Sequence, residues 1–178
     1  MLFKNGKLSV RLLELKDNSI LVKWLSDPIV LEFYEGRDNA FDLDMVHEKF
    51  YNRDKGVVRC IVEFDKLPIG YIQYYLLDSD DSKLYGYTDL SDVIYGMDQF
   101  IGEVAYWNKG IGTLLVKSMV EFLVEQNQAD RVVMDPQTWN ERAIRCYEKC
   151  GFKKVKLLPK NELHEGEYRD CWLIEYIK

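Results

Sequence analysis

Histidine and cysteine are scarce in this 178-residue chain, and neither is spaced to hold a metal. His47 and His164 stand far apart and poorly accompanied by other ligand types, so no metal site is expected. Cys60, Cys146, Cys150 and Cys171 include no Cys-x-x-Cys pair. Cys146 and Cys150 would be helix neighbours. The opening Met1-Leu2-Phe3-Lys4-Asn5 lacks a secretory pattern, however, so a structural disulfide is not expected and Cys146 reads as a small core residue. No apolar run reaches membrane-spanning length, and no basic stripe offers a footprint for nucleic acid. Repeats, low-complexity tracts and linkers are also missing. These absences lead to an expectation of one reduced, cytoplasmic domain over residues 1–178, away from membranes and acting as a monomer or weak dimer.

What is present is enough for a core: 47% of residues are hydrophobic and 30% are charged. The net charge is −6 and sits in one place. Residues 78–103 hold seven acids (Asp78, Asp80, Asp81, Asp89, Asp92, Asp98, Glu103) against Lys83, so the rest of the chain balances to zero. Seven of the twelve tyrosines (71, 74, 75, 85, 87, 95 and 106) lie in or beside that stretch. Carboxylates among aromatic rings suit a cationic ligand, although an acidic run is also what a solvated surface loop looks like.

Patterning predicts a strand at 8–13, then a helix capped by Asp17 that ends near Asp27-Pro28. Short helical segments follow at 29–34 and 43–51, and a hairpin at 57–64 and 69–77. After the acidic, tyrosine-rich loop come a strand at 93–101 and a helix at 110–126 with an apolar stripe at 111, 114, 115, 119, 122 and 123. A short buried strand at 131–134 stops at Asp135-Pro136, and Asn140 caps a helix that runs through Lys149 to Gly151. Strands at 152–158 and 170–176 flank a loop at 159–169. The fold class is α/β (α+β): a mixed central sheet flanked by helices.

The junction Tyr106-Trp107-Asn108-Lys109-Gly110-Ile111-Gly112-Thr113 places a Gly-x-Gly turn at a helix start. There backbone N–H groups and the positive end of the helix dipole favour an anion such as a pyrophosphate. Together with the block from Asn140 to Phe152 it resembles the acetyl-CoA-binding core of the GNAT superfamily of N-acetyltransferases. Further stretches extend the likeness over almost the whole chain: Lys23-Trp24-Leu25, Leu31-Glu32-Phe33-Tyr34, Pro68-Ile69-Gly70-Tyr71, Tyr95 to Glu103, Arg142-Ala143-Ile144-Arg145 and Leu163-His164-Glu165-Gly166. These are similar to aminoglycoside 6′-N-acetyltransferases, especially the acetyltransferase half of the bifunctional aminoglycoside-modifying enzyme of Gram-positive cocci. One departure is Trp107, three residues before the first glycine, where many members carry Gln or Arg.

The resemblance implies a GNAT fold that binds acetyl-CoA at a splayed strand and at the Gly-x-Gly helix N-terminus, with direct acetyl transfer to the 6′-amine of an aminoglycoside. Cofactor contacts are expected from Phe100, Ile101, Lys109, Gly110, Ile111, Gly112, Thr113, Asn140, Ala143, Tyr147 and Lys149. Asp98, in Gly96-Met97-Asp98-Gln99, matches the aspartate that acts as the catalytic base in that bifunctional enzyme. A carboxylate beside a substrate ammonium can orient it and accept its proton as the C–N bond forms. The phenol of Tyr147 is placed near the departing thiolate, which can take its proton from Tyr147 or from water. The substrate wall is expected from Trp24, Tyr34, Gln73, Tyr74, Asp98, Glu103, Asp135 and Glu162, with plain helix core as the other reading of Trp24. Two rivals share the sequence: acetylation of another cationic amine, such as a polyamine or a protein N-terminus, and a non-catalytic CoA-binding module.

Overall fold

The computed structural model describes residues 1–52, 56–88 and 91–178. Its strands and helices, in chain order, are β1 (Phe3–Asn5), β2 (Leu8–Leu12), α1 (Asn18–Trp24), α2 (Pro28–Leu31), α3 (Leu43–Val46), β3 (Val57–Phe64), β4 (Leu67–Leu76) and α4 (Ser79–Tyr85). They continue with β5 (Ile94–Ile101), α5 (Ile111–Gln126), β6 (Arg131–Met134), α6 (Glu141–Lys149), β7 (Lys153–His164) and β8 (Glu167–Ile177). The strands hydrogen-bond in the order β1-β2-β3-β4-β5-β6-β8-β7. β2 is antiparallel to β1 and β3, β6 is antiparallel to β8, and β5 runs parallel to β6, so the sheet is mixed as expected. A parallel neighbour requires a crossover, and α5 supplies it.

Packing divides the chain into two compact units of three segments each. The first comprises Met1–Gln73, Gln99–Gly112 and Leu163–Glu167; the second comprises Tyr74–Asp98, Thr113–Glu162 and Tyr168–Lys178. Leu21, Trp24, Leu25, Val30, Phe41, Val46, Phe50, Ile61, Tyr71 and Phe100 form the core of the first unit. In the second, α5 buries Leu115, Val116, Met119, Val120 and Leu123, each worth about 1.5–3 kcal/mol for leaving water. A further cluster there joins Tyr85, Tyr87, Ile94, Val133, Leu158, Cys171 and Leu173.

The structure departs from the sequence reading at several points. The acidic stretch is not all loop, because Asp78 caps α4 by accepting hydrogen bonds from the N–H groups of Asp80 and Asp81, and Gly86 at φ 85° ends it. Asp89 lies outside the described residues. The expected loop at 159–169 is instead the end of a long hairpin, whose turn is Glu165-Gly166 with φ 50° and 80°. Pro159 is tolerated because β7 is the last strand in the sheet order. Asp17 does not cap α1 with its side chain: its buried carboxylate takes both terminal nitrogens of Arg11 at 2.8 Å and the N–H of Glu14. The segment expected at 43–51 is one turn of α-helix followed by a π turn, His47–Tyr51, and that expected at 29–34 is the shorter α2 with Pro28 in its first turn. β1, three residues paired across the turn at Gly6, went unforeseen.

Candidate functional site

In the second unit β5 alternates faces, as any strand must. Tyr95 turns toward Tyr74 and Asn127, on the side where Tyr74 meets Phe122 of α5 edge-on at 6.0 Å. Gly96 and Asp98 therefore share the opposite face. The Tyr75 ring lies directly on Gly96: a β-carbon there would sit 2.5 Å from Cε2 and 2.6 Å from Cζ. Burial, and then the negative charge of Asp98, Asp135, Asp81 and Asp78, push the Tyr75 phenol well above its ordinary value. It stays neutral and available as a donor among four carboxylates.

Asp135 follows the last residue of β6 and is held by two donors, the Tyr85 hydroxyl at 3.0 Å and the Asn161 amide at 3.1 Å. Burial raises its pKa, and those two hydrogen bonds offset part of the rise. Glu162 is exposed, with an oxygen 3.9 Å from the sulfur of buried Cys171. This face thus presents half-buried Asp98 and Asp135, Asp81 in the first turn of α4, and the rings of Tyr75 and Tyr85. A desolvated anionic surface lined with aromatic groups attracts an ammonium more strongly than the same charges in water would.

The register between β5 and β6 covers Ile94 to Gly96 and stops there, although β5 continues. β6 ends one residue later, at Met134, so β5 runs past it at the place where the splayed strand is expected. Asn140 caps α6, its side chain accepting from the Ala143 N–H at 3.3 Å. Tyr147, two turns on, is half-buried and edge-on to Phe152 at 6.3 Å, while Lys149 is exposed in the last turn. Thr113, in the first turn of α5, faces α6, its hydroxyl 3.4 Å from the Cys146 sulfur.

In the first unit Tyr34 packs on Phe100 at 4.5 Å, and Tyr71 stacks on the same ring at 5.6 Å while donating its hydroxyl to Gln73 at 2.7 Å. Gly110, at φ 76° with open space where a side chain would project, precedes the start of α5 at Ile111. The first N–H groups of that helix have no partner within it, so the turn offers a stripped backbone to an anion. Trp107 turns its indole N–H onto the Ile101 carbonyl at 2.7 Å, and Lys109 extends over the Tyr106 ring.

Two expected wall residues have other occupations. Trp24 is fully buried, edge-on to Phe100 and pressed on Gly102, with its indole N–H given to Glu103 at 2.9 Å. That is the core reading of Trp24: no ring face is open to a sugar. The same Glu103 oxygen takes Lys23 at 2.5 Å, and those two hydrogen bonds outweigh burial and hold the Glu103 carboxyl below its usual range. Tyr74, also expected on the wall, is buried against Phe122. Consecutive strand residues face opposite sides, so it lies against α5, and Tyr75 is the tyrosine that joins Asp98. Counting by two from Gln73 points to Tyr75, and a strict period applied to the sequence finds it. Among the described residues, no group of three or more His, Cys, Asp or Glu side chains is placed to hold a metal ion, and no helix is long and apolar enough to cross a membrane.

Known proteins resemble this chain in sequence and fold. Over 154 residues, covering 84% of this chain and 76% of the relative, the sequence is 32% identical to an aminoglycoside N(6′)-acetyltransferase type 1 of Klebsiella pneumoniae. The crystal structure of aminoglycoside acetyltransferase AAC(6′)-Ib with coenzyme A and kanamycin superposes with a TM-score of 0.75 at 24% identity, over 96% of this chain and 95% of that one. A spermidine N-acetyltransferase of Vibrio cholerae, with CoA and spermine, gives 0.78 at 16% identity over 97% and 96% of the two chains. Likenesses of that degree establish the fold. A family model described as an acetyltransferase (GNAT) domain matches residues 14–159, which contain Asp98, the Gly110 turn and the capped helix α6. With that match, the mixed sheet and the exposed turn ahead of α5, the chain belongs to the GNAT family of acetyltransferases.

Proposed function

We propose that this protein is an aminoglycoside 6′-N-acetyltransferase that transfers acetyl directly from acetyl-CoA to the 6′-amine of kanamycin- and tobramycin-type drugs, conferring resistance to them. The observation that carries the substrate class is the second unit's carboxylate face, with Asp98 and Asp135 half-buried among Tyr75 and Tyr85, because an aminoglycoside presents several ammonium groups to match it. The 32% identity to an aminoglycoside N(6′)-acetyltransferase supports the same reading.

Asp98 orients the ammonium and takes its proton as the nitrogen attacks the thioester carbonyl. The likeness to the bifunctional enzyme of Gram-positive cocci is the basis for giving it that role. Backbone N–H groups of β5 at Phe100 and Ile101 stabilise the oxyanion, as hydrogen-bond donors fixed in advance do in acyl transfer. Lys109, Gly110, Ile111, Gly112 and Thr113 hold the pyrophosphate through their N–H groups, and Asn140, Ala143 and Lys149 contribute from α6. Collapse of the tetrahedral adduct releases the thiolate, which Tyr147 protonates. Asp135, Gln73, Tyr34 and Glu162 contact the drug. The working unit is the whole chain, 1–178, as one cytoplasmic domain, a monomer or weak dimer.

The test is mass spectrometry of kanamycin incubated with enzyme and acetyl-CoA, with spermidine in a parallel reaction. One acetyl group on the 6′ nitrogen is expected. Preference for spermidine would move the assignment to polyamines, and no acetyl transfer to either would leave a CoA-binding module.

A further inference from the structure

Three side chains of the second unit meet beside the first turn of α5. Cys146 lies in α6 and Cys150 four residues on, at its C-cap. The α-carbons of such a pair are about 6 Å apart, which a disulfide spans. The β-carbons are ~5–6 Å apart against the ~3.5–4.5 Å it takes, so the bond closes only if the last turn of the helix yields. Both face Thr113: its hydroxyl is 3.4 Å from the Cys146 sulfur, and its carbonyl is 3.6 Å from the Cys150 sulfur. Cys146 is half-buried, whereas Cys150 is buried at the end of the helix. By residue, Cys146 is the more accessible of the two.

The electrostatics divide the pair in the same sense. Hydrogen bonding from Cys150 favours a thiolate at Cys146, and the Thr113 hydroxyl and the charge of Lys149 add to it, together outweighing burial. Cys150 is pushed the opposite way by the same hydrogen bond and by burial, so it keeps its proton while Cys146 is the anion. A thiolate with a lowered pKa is the attacking species in thiol–disulfide exchange, and a protonated neighbour is a resolving thiol.

We propose that Cys146 is a modification site for low-molecular-weight disulfides, resolved by Cys150 into an intrahelical disulfide that weakens acetyl-CoA binding. The Cys146 thiolate attacks one sulfur of the small disulfide RSSR. The S–S bond breaks, RS⁻ departs and takes a proton, and a Cys146–SR mixed disulfide remains. Cys150 then loses its proton and attacks the Cys146 sulfur, expelling the second RS⁻. Both cysteines are oxidised, and RSSR is reduced to two thiols. Closing the bond moves both sulfurs and the end of α6 relative to Thr113, and so disturbs the two polar contacts that the first turn of α5 makes with them. The effect on binding rests on the cofactor assignment above; the thiol chemistry does not.

The experiment treats the full chain with glutathione disulfide at pH 7 and follows it by intact-mass spectrometry and calorimetric titration with acetyl-CoA. Wild type is expected to lose two hydrogens, reversibly with dithiothreitol, and to bind acetyl-CoA about tenfold more weakly when oxidised. Cys150→Ser should accumulate one glutathione adduct, and Cys146→Ser should take up neither adduct nor bond at the same exposure. Thermal melts check that both variants fold. Equal modification of Cys146→Ser and wild type would overturn the proposal, as would an oxidised form that binds acetyl-CoA as tightly as the reduced one. Reduced enzyme that does not bind acetyl-CoA at all would instead overturn the cofactor assignment.

Discussion

Replacing Gly96 by alanine adds one carbon where the Tyr75 ring already lies. The new atom would meet Cε2 at 2.5 Å, Cζ at 2.6 Å and the hydroxyl at 2.8 Å. Carbon atoms rest at about 3.5–4.0 Å, so the ring must withdraw by roughly 1 Å. Overpacking of this kind costs about 1–3 kcal/mol, while the stiffer unfolded chain returns about 0.4–1 kcal/mol, so the net loss should lie between about 0 and 2.6 kcal/mol, centred near 1.3. The double-mutant cycle with Tyr75→Leu is the decisive measurement, because leucine removes the atoms that the new carbon would strike. Urea unfolding should show Gly96→Ala destabilising in the wild-type background and neutral or slightly stabilising in Tyr75→Leu, a coupling energy of about 1–3 kcal/mol. Displacing the phenol from the carboxylate face should also raise KM for kanamycin. If alanine costs the same in both backgrounds, the Tyr75 ring is not the obstacle and the face is not built as described.

Asp98→Asn should retain acetyl-CoA affinity and lose about two or more orders of magnitude in kcat, the usual scale for loss of a general base; turnover within a few-fold of wild type would remove Asp98 from that role. Tyr147→Phe should lower kcat with little change in melting temperature, and an unchanged kcat would assign the thiolate's proton to water. Asp81, half-buried and with a pKa raised by burial and by Asp78 and Asp80, should raise KM for kanamycin when changed to Asn, whereas Asp80→Asn, on an exposed side chain, should not; equal effects would refute the distinction. The pKa of Asp135 is raised, so the folded protein holds that proton more tightly than the unfolded chain does, and ionisation subtracts stability as pH climbs above about 3.8. Urea melts of Asp135→Asn should therefore gain on wild type between pH 4 and pH 7, and a constant difference across that range would contradict the shift.

Elements with strong local signals are legible in the sequence. The α5 stripe, the Asn140 cap and the short β6 are periodic or capped within their own residues, and the structure has them within a residue or two of the expected limits. Elements in which long-range pairing outweighs local preference are not legible there. Residues 159–164 carry Pro, Lys, Asn and Glu, poor strand formers, and are extended because β8 is their partner in the sheet. Asp17 looked like a cap because aspartate before a helix commonly is one, and only the fold brings Arg11 to it. On the carboxylate face, motif and position in the sequence pick out Asp98 and Asp135, which the fold brings to the same ring of Tyr75. They do not place Trp24, because whether an indole is core or wall depends on what lies above it, and here that is Gly102.

The hairpin tip at Glu165 holds Arg37 through two nitrogens, at 2.6 and 2.8 Å, so a segment 128 residues downstream helps complete the first unit. Closing a loop of that length costs about 4 kcal/mol in chain entropy, beyond what one exposed ion pair returns. During synthesis the delay is also one of time. At ~5–20 residues per second, the interval between emergence of Gln73 and of Glu165 is on the order of 5–20 s. Over that interval the nascent N-terminal segment carries its apolar side chains without the hairpin segment that finishes their enclosure, and until Gly112 emerges without the β5 segment as well. Chaperone capture of this chain should therefore concentrate on nascent lengths between those two residues, and fragments cut anywhere in the interval should fail to fold.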